Sequence, residues 1–352
     1  MNGKRVLVTG GAGFLGYHLA QSLPQHNAAF VALNDIAPFF KEEYPDEYLL
    51  AKVDVRDEDA MYRLINDNQV DTIIHCAAAL PLWPKAEIYS TNIEGLKNTL
   101  TQAQKCGVER FVFVSSTAVY GVPDKHPLVE DDPVEGVGAY GESKIAGEQV
   151  CADFRSQGMC ITVIRPKTFI GTARLGVFQI LYDWVDSGKR IPIIGKGNNL
   201  YQLLEVTDLI DAIFLAATAP ADIANDVFNV GAQHFDKVKL DVGALCNFAG
   251  NGARVMPTPA SVVKPALALF EFLKISPLYK WVYGTADKDS FVSTARIENK
   301  LGWKARYSNE DALITSHKWY LEHKEELITQ KAGVTHRVGW DQGILKLFKR
   351  FM

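Results

Sequence analysis

Apolar and polar residues alternate along the first third of the chain in a pattern that predicts short buried strands connected by amphipathic helices. Residues 4–9 form an apolar run that indicates a strand, and residues 17–23 have the spacing of a helix. A second apolar run at residues 29–33 ends at Asn34 and Asp35. A strand, a helix and a strand in this order predict one βαβ unit with parallel strands.

The same alternation continues along the chain and predicts an α/β fold. Helices are expected at residues 58–66 and 93–105 and from Tyr140 onward. Further strands are expected at residues 48–53, 72–79, 111–114, 161–165, 203–206 and 227–230. We expect the last two of these strands to return to the main sheet.

A glycine-rich stretch at residues 10–16, Gly-Gly-Ala-Gly-Phe-Leu-Gly, lies between the first strand and the first helix. Glycine permits a tight turn, a close approach of the backbone to a pyrophosphate and close packing of the helix on the strand. The N-terminus of the helix would then face the phosphates of a dinucleotide. The expected cofactor contacts in this stretch are Gly10, Gly13, Phe14, Leu15 and Gly16.

Asp35 lies nineteen residues after Gly16, at the end of the second strand. A carboxylate at this place accepts hydrogen bonds from the adenosine ribose hydroxyls and repels a 2′-phosphate. No Arg or Lys follows before Lys41. The pattern therefore favours NAD over NADP as the cofactor.

Composition and charge narrow the class of protein. With 352 residues, 47% of them apolar, the chain can bury a large core, and we expect one large domain plus a smaller lobe. The net charge of −4 includes no strong block of either sign, so no nucleic-acid partner is expected. The five cysteines form no CxxC pair and are expected to be reduced core thiols. The early first strand leaves no room for a signal peptide and no apolar run reaches roughly 18 residues, so we expect a cytoplasmic protein.

Several polar residues lie at the ends of expected strands, where ligands bind in open parallel sheets. Asp54 is either an N-cap of the helix at residues 58–66 or a contact for an adenine amino group, and both interpretations stay open. The hydroxyls at residues 115–117 either face a substrate or cap a turn. His75 has no second His or carboxylate at metal-ligand spacing, so we interpret it as a core histidine and predict no metal site.

Tyr140 and Lys144 are four residues apart at the start of an expected helix, which places both side chains on one face. A phenol with a pKa of about 10 is a poor acid or base at neutral pH, and a neighbouring cation lowers that pKa. The two residues are therefore a candidate catalytic pair, although this spacing is common by chance.

Further motifs follow the glycine-rich stretch in a fixed order. They are Asp54-Val55, His75-Cys76-Ala77-Ala78, Asn92, Ser115-Ser116-Thr117-Ala118-Val119-Tyr120-Gly121, Tyr140 to Lys144, Arg165-Pro166 and, more weakly, Leu301-Gly302-Trp303. Together they resemble the extended short-chain dehydrogenase/reductase family, the NAD-dependent epimerase/dehydratase group that includes sugar epimerases, sugar dehydratases and 3β-hydroxysteroid dehydrogenases. The resemblance covers about residues 4–320. It implies a Rossmann-type doubly wound parallel sheet with a smaller, discontinuous C-terminal substrate lobe.

The resemblance also implies roles for the motif residues. Tyr140 would be the acid or base, Lys144 would hold the nicotinamide ribose and lower the pKa of Tyr140, and Ser116 would hydrogen-bond the reacting oxygen. We choose Ser116 rather than Thr117 because Ser116 stands four residues before Tyr120. The implied cofactor contacts, besides Tyr140 and Lys144, are Asp54 and Val55 at the adenine, Ala77 and Ala78 through their backbone, and Asn92 as a support near the active site.

The implied chemistry is hydride transfer between the nicotinamide of NAD and a secondary-alcohol carbon of a small-molecule substrate. Sugar dehydratases of the family carry an Asp-Glu pair where this chain has Thr117 and Ala118, so an epimerase of a sugar, nucleotide-linked in our first hypothesis, is favoured. Two departures from UDP-sugar epimerases are Thr168 in place of Asn and Tyr201 in place of an Arg that pairs with a diphosphate. Candidate substitutes for that cation are Arg174, Arg190, Lys196 and Arg254.

Two other hypotheses stay open. Residues 260–283 are unusually apolar, which favours a 3β-hydroxysteroid-dehydrogenase-like enzyme for a lipidic substrate, although ordinary packing of the lobe explains the same pattern. The third hypothesis is a non-catalytic dinucleotide sensor. Such a sensor would not require Ser116, Tyr140 and Lys144.

We expect two lobes within the chain. The NAD-binding domain is assigned to residues 1–171 and 200–235, and the substrate lobe to residues 172–199 and 236–330. The resemblance further implies a homodimer.

Residues 331–352 form a basic C-terminal tail whose last apolar residues fall on one helical face. This pattern predicts contact with a membrane surface, which would make a cytoplasmic protein peripheral at the membrane. Docking of the tail on its own chain or on a dimer partner is the other interpretation.

Overall fold

Seven parallel strands form the central sheet of the computed structural model, which describes residues 1–81, 83–273, 280–329, 337, 345–349 and 352. The strands of this described part are β1 (Arg5–Thr9), β2 (Phe30–Asp35), β3 (Leu49–Lys52), β4 (Thr72–His75), β5 (Arg110–Val114), β6 (Ile161–Pro166), β7 (Thr168–Ile170), β8 (Arg190–Ile194), β9 (Leu203–Glu205), β10 (Val227–Val230) and β11 (Arg254–Thr258). Across the central sheet the order is β10-β6-β5-β4-β1-β2-β3, which reverses between β1 and β4. Ligands bind outside the carboxyl ends of the strands at such a reversal.

Helices cover the two faces of this sheet and build the lobe beside it. The described helices are α1 (Phe14–Ser22), α2 (Glu58–Asn66), α3 (Lys85–Tyr89), α4 (Leu96–Lys105), α5 (Gly138–Ser156), α6 (Val177–Asp186), α7 (Val206–Thr218), α8 (Ala221–Ala224), α9 (Val238–Ala249), α10 (Ala260–Phe272), α11 (Lys280–Thr285), α12 (Ala295–Leu301), α13 (Asn309–Thr329) and α14 (Leu345–Lys349). The helix expected at residues 93–105 begins earlier, as a π-helical turn at Ser90–Gly95 that continues into α4. Within the described ranges, no helix is both long and apolar enough to cross a bilayer.

The first strand shows how the apolar pattern produces two buried faces. Alternate side chains of a strand point to opposite faces of the sheet. Val6 and Val8 pack in one hydrophobic cluster with α1 and α7, and Leu7 packs in a second cluster with α2, α4 and α5. Because both faces are covered, β1 is a continuous apolar run rather than an alternating one.

A third hydrophobic cluster occupies the residues that we assigned to the substrate lobe. It is built around α6, α9 and α13 and includes Tyr182, Leu245 and Leu313. Ile297 and Trp303 instead pack with the first cluster, beside the central sheet. The third cluster also includes Ile170 and Leu203, which we assigned to the NAD-binding domain, and α12 packs against the first cluster, so the division into two lobes stays a prediction.

One strand prediction is wrong. Residues 227–230 join the central sheet as β10, as expected, but Leu203–Glu205 pairs with Thr168–Ile170 in a separate two-stranded sheet. β9 ends after three residues, because the carboxylate of Glu205 accepts a hydrogen bond from the backbone N–H of Thr207 and α7 begins at once. Its partner β7 follows β6 after a single residue, so β9 pairs beyond the carboxyl end of β6 and not at the edge of the central sheet.

The described residues of the C-terminal tail contact their own chain. Leu345 packs against the third cluster, Lys349 forms an ion pair with Asp183, and Arg190 donates a hydrogen bond to the backbone oxygen of Met352. The described part of the tail thus docks on its own chain, as the second interpretation expects. Ile344 and Phe351 of the expected amphipathic face lie outside the described residues, and membrane contact stays a prediction.

A buried ion pair connects the carboxyl ends of the strands to α5. Glu148 accepts hydrogen bonds from the guanidinium of Arg165 at 2.6–3.1 Å, and the two side chains are only 11% and 7% exposed. Ser115, directly after β5, donates to the same carboxylate at 2.5 Å. Arg165 also donates to the hydroxyl of Tyr120 at 2.7 Å, and Tyr120 donates to Asn229 on β10 at 2.8 Å. One polar network therefore joins β5, β6, β10 and α5.

Replacing Arg165 by Met should lower the free energy of unfolding by about 3–5 kcal/mol, because Glu148 would be left as an uncompensated buried charge. Urea denaturation measures this loss. The double variant Arg165→Met/Glu148→Met should recover a large part of it, since removing both charges is far less costly than removing one. Lys4→Met is the control, because Lys4 pairs with Glu109 at an exposed site, where about 1 kcal/mol or less is expected. A loss as small for Arg165→Met as for Lys4→Met would contradict the importance of the network.

Candidate active site

One large cavity opens at the carboxyl ends of the central strands, where the strand order reverses. Its volume is about 1750 Å³, and it extends from the glycine-rich stretch at residues 10–16 past Ser116 and Tyr140 to residues of α9 and α13. Sites for one drug-sized ligand have roughly 300–1,000 Å³. The cavity therefore has room for a dinucleotide and a second ligand.

The glycine-rich stretch forms the turn that the sequence predicts, and its glycines are required by close approaches. Gly10 has a φ of +72°, and a Cβ there would lie 2.8 Å from the backbone nitrogen of Ala77. A Cβ on Gly16 would lie 2.2 Å from the backbone oxygen of Gly10. The expected contacts that line the cavity are Gly10, Gly13, Phe14, Leu15 and Gly16. They leave a backbone cradle at the N-terminus of α1 that fits a pyrophosphate.

Asp35 lies beside this turn, at the end of β2, and lines the cavity. Its carboxylate accepts hydrogen bonds from the backbone N–H groups of Ala12 at 3.0 Å and Ala37 at 2.9 Å. Burial raises the pKa of Asp35, and these hydrogen bonds act against that rise. The cradle and a neighbouring carboxylate are the features that fit NAD.

Arg337 is a residue of this region that sequence reasoning missed. Its guanidinium donates to Glu43 at 2.7 Å, lies 4.2 Å from the centre of the Tyr17 ring and lines the cavity. It is more than 300 residues from the glycine-rich stretch, and no local pattern links the two. Its positive charge is balanced by Glu43 rather than by Asp35.

Asp54 and Val55 line the cavity as expected, but Asp54 is not a helix cap. The N-cap of α2 is Asp57, whose carboxylate accepts the N–H of Ala60 at 3.0 Å. Asp54 instead binds the guanidinium of Arg56 at 2.6–3.1 Å, and this hydrogen bonding holds the pKa of Asp54 below its usual value. The carboxylate is thus held at the cavity wall in its charged form.

Ala77 and Ala78 line the cavity, whereas Asn92 is not among the described residues that line it. Asn92 is buried in the π-helical turn, where its Oδ1 accepts the N–H of Ala79 at 2.7 Å. Its Nδ2 donates to the hydroxyl of Ser143 on α5 at 3.0 Å. Asn92 therefore acts as a support that joins the cavity wall to α5, and its contact with a cofactor stays a prediction.

Ser116, Tyr140 and Lys144 meet at the carboxyl end of β5 and line the cavity. The hydroxyl of Ser116 accepts the N–H of Ala118 at 3.1 Å and is hydrogen-bonded to the phenol of Tyr140. Tyr140 and Lys144 both lie on α5, with the Lys144 Nζ 5.8 Å from the centre of the Tyr140 ring. The three residues that the resemblance selects are thus brought together.

Burial moves the pKa values of the two α5 residues in opposite directions. It raises the pKa of Tyr140 to about 12 and lowers the pKa of Lys144 to about 8. The hydrogen bond with Ser116 and the charge of Arg174 act against burial at Tyr140. Arg174 is thus a cation near Tyr140 that sequence reasoning did not link to it, whereas Lys144 donates to the backbone oxygen of Val114 at 2.9 Å and its expected effect on the pKa of Tyr140 stays a prediction.

The two departures from UDP-sugar epimerases contact each other at the far end of the cavity. The hydroxyls of Thr168 and Tyr201 are 3.0 Å apart and share a hydrogen bond. The candidate substitute Arg174 lines the cavity and stacks on Phe14, with its guanidinium 5.0 Å from the ring centre. The other three candidates are not among the described lining residues: Arg190, Lys196 and Arg254.

Lys167 is a second cation of this end that sequence reasoning missed. It lines the cavity, is 4% exposed and donates from Nζ to the hydroxyl of Ser290 at 2.6 Å. Its position directly after the Arg165-Pro166 motif, at a strand end, was the signal that could have identified it.

His75 is a core residue, as interpreted. It is 1% exposed, its Nδ1 lies 3.0 Å from the hydroxyl of Thr9, and burial lowers its pKa to about 3. The five cysteines are free thiols. Within the described ranges, no group of three or more His, Cys, Asp and Glu side chains could hold a metal ion.

Comparison with known proteins agrees with this geometry. The model of the NAD dependent epimerase/dehydratase family matches residues 6–231. An uncharacterized protein of Sinorhizobium fredii, y4nG, is 30% identical over 349 residues, which cover 98% of this chain and 85% of that protein. The UDP-glucose 4-epimerase of Lactobacillus helveticus is 25% identical over 91% of this chain and 98% of its own length.

A solved structure of the UDP-glucose 4-epimerase of Thermotoga maritima with UDP-glucose is similar in fold, with a TM-score of 0.77. Its sequence is 24% identical, and the match covers 91% of this chain and 99% of that chain. The family match confirms the identification made from the motifs, and the structural match confirms the doubly wound fold. The chain belongs to the NAD dependent epimerase/dehydratase family.

Proposed function

We propose that the protein is an NAD-dependent oxidoreductase that interconverts a secondary alcohol and a ketone, and that it works as an epimerase of a nucleotide-linked sugar. One observation carries the proposal. Ser116, Tyr140 and Lys144 converge on a cavity that is continuous with the glycine-rich cradle and large enough for a second ligand.

The glycine-rich stretch and Asp35 would hold the bound cofactor. Gly10, Gly13 and the N-terminus of α1 would receive the pyrophosphate, and Asp35 would receive the adenosine ribose. When bound, NAD supplies the nicotinamide that exchanges a hydride with the substrate carbon.

The residues of the chain would handle the proton and the oxygen. Burial keeps the Tyr140 phenol protonated at neutral pH, so it can donate to a carbonyl oxygen, and Ser116 can hydrogen-bond that same oxygen. In the opposite direction Tyr140 takes the proton of the alcohol, which requires a lower pKa than about 12. The positive charges of Arg174 and Lys144 favour the phenolate at that moment.

An epimerase is preferred to a dehydratase because of the two residues that follow Ser116. Elimination of water needs an additional acid and base, and the family's dehydratases place an Asp-Glu pair there. In this chain Thr117 donates a hydrogen bond to the backbone oxygen of Pro166 at 3.3 Å, and Ala118 has no titratable group.

A second candidate function, a dehydrogenase of a lipidic substrate, is favoured by the surface of α10. Val262, Leu269 and Phe272 of this helix are 65%, 55% and 82% exposed, which is not the ordinary lobe packing that the sequence also allowed. Glu271 of the same helix lines the cavity, so α10 lies at its edge. An apolar helix at this position is suited to a lipid-like ligand.

Replacing Tyr140 by Phe should leave NAD affinity within about twofold and lower turnover by about 10²–10⁴-fold. The reason is that Phe lacks the phenolic hydroxyl that carries the transferred proton and otherwise keeps the same ring. Titration with NAD and a turnover assay measure the two quantities separately. Tyr62→Phe, on the exposed side of α2, is the matched control. A Tyr140→Phe enzyme with most of its activity would sink the catalytic assignment.

Replacing Asp35 by Asn should weaken NAD binding by about tenfold and reduce the preference for NAD over NADP by at least as much. Ala12 and Ala37 donate to different oxygens of Asp35, so the single amide oxygen of Asn can still accept one of these two N–H groups, whereas the charge that repels a 2′-phosphate is gone. Binding of both cofactors is measured by titration, with Asp46→Asn as the exposed control. An unchanged NAD-to-NADP ratio would show that Asp35 does not select the cofactor.

The protein as purified distinguishes the two candidate functions. An epimerase regenerates its cofactor in each cycle and retains it, so NAD should co-purify and UDP-sugars should raise the melting temperature. Loosely bound NAD, together with stabilisation by sterols or acyl ketones, would favour the lipid dehydrogenase instead. Turnover of any substrate rules out the non-catalytic sensor.

A further inference from the structure

Lys167 is a buried ammonium group that lacks a carboxylate partner among the described residues. The residue is 4% exposed, and its Nζ bonds only the neutral hydroxyl of Ser290, at 2.6 Å. In the described ranges no Asp or Glu oxygen lies within ion-pair distance of it; Asp289, on the same cavity wall, accepts the N–H of Leu200. Charged groups that are buried in proteins are normally paired.

The backbone of Lys167 lies at the same edge of the sheet as that of Ser116. Its backbone directly follows β6, and the hydroxyl of Thr117 donates to the oxygen of the preceding Pro166 at 3.3 Å. Thr117 is the neighbour of Ser116, so Lys167 lies one strand away from the catalytic hydroxyl at the same edge of the sheet. The side chain lines the cavity there.

Hydroxyl groups complete a polar patch around the ammonium. The Nζ lies 5.1 Å from the centre of the Tyr201 ring, and the Tyr201 and Thr168 hydroxyls bond each other at 3.0 Å. That bond uses one of their two hydroxyl hydrogens, so the second is available to a ligand oxygen. An ammonium together with such donors is suited to an oxyanion.

We propose that Lys167 binds an anionic group of the substrate, a phosphate or carboxylate oxygen, at the substrate end of the cavity. The proposal rests on the proposed function, and it makes Lys167 a specificity-determining residue for acidic sugar derivatives. Two parts of such a substrate can supply the anionic oxygen: the diphosphate of a nucleotide-linked sugar and a carboxylate on the sugar itself.

The test compares Lys167→Met and Lys167→Arg with the parent protein, with NAD present, by calorimetric titration with UDP, UDP-glucose and UDP-glucuronic acid. Met has a similar length and needs no partner, so folding and NAD affinity should be unchanged in Lys167→Met. Its affinity for the anionic ligand should fall by about 10- to 100-fold, and Lys167→Arg should retain most of it. Lys300→Met, whose lysine pairs with Asp226 outside the cavity, is the control.

The pattern of losses identifies the anion. Equal losses for all three ligands assign Lys167 to the diphosphate, and a loss confined to UDP-glucuronic acid assigns it to the sugar carboxylate. Normal binding of all three ligands by Lys167→Met, with normal turnover in the parent protein, overturns this proposal alone. A fall in turnover with normal binding also overturns it and makes Lys167 an acid or base. A parent protein that binds none of the three overturns the proposed function and this inference with it.

Discussion

The ion pair between Glu148 and Arg165 is the interaction on which the geometry of the site depends. Glu148 lies on α5 one turn after Lys144 and two turns after Tyr140, and it is hydrogen-bonded to β6 through Arg165 and to the end of β5 through Ser115. A helix that only packed on the sheet through apolar contacts could slide or rotate by a fraction of a turn at small cost. The charged hydrogen bonds prevent this movement, because any shift would leave a buried carboxylate without its partners. The phenol of Tyr140 is thereby held at Ser116, the residue next to Ser115.

Desolvation is the second constraint, and it acts on every titratable group near the reacting centre. Burial favours the neutral forms, which raises the pKa of Tyr140 to about 12 and lowers that of Lys144 to about 8. The pKa values of a phenol and an alkylammonium are nearly equal in water, so burial moves these two values apart and favours the neutral form of each group. Arg174, stacked on Phe14 beside the glycine-rich stretch, couples the charge at Tyr140 to the cofactor end of the cavity.

The local parts of the site could be predicted from sequence, because each is a spacing within one element or one turn. The glycine-rich stretch, Asp35 at a strand end, and Tyr140 four residues before Lys144 are of this kind. The remainder depends on tertiary contacts. Arg337 reaches the cofactor end from the other end of the chain, and the three-residue strand at Leu203–Glu205 has no feature that specifies its partner. Asp54 remained either a cap or a cavity residue by sequence, and the structure gives the cap to Asp57 while Asp54 binds Arg56 at the cavity wall.

The charge of Lys167 bears on the choice between a sugar and a lipid. Burial lowers the pKa of Lys167 to about 7, so the charged and the neutral form of its amine have similar free energies at neutral pH. A neutral sterol in the same space would remove remaining water and leave the group with Ser290 alone, which favours loss of its proton. An oxyanion would instead stabilise the ammonium and return its pKa toward the usual value. Glu271 of α10 lines the cavity, whereas the exposed apolar side chains of that helix, Val262, Leu269 and Phe272, are not among the described lining residues. The oxyanion site that we propose at Lys167 is therefore the part of the cavity that favours an acidic, polar substrate over a neutral lipid.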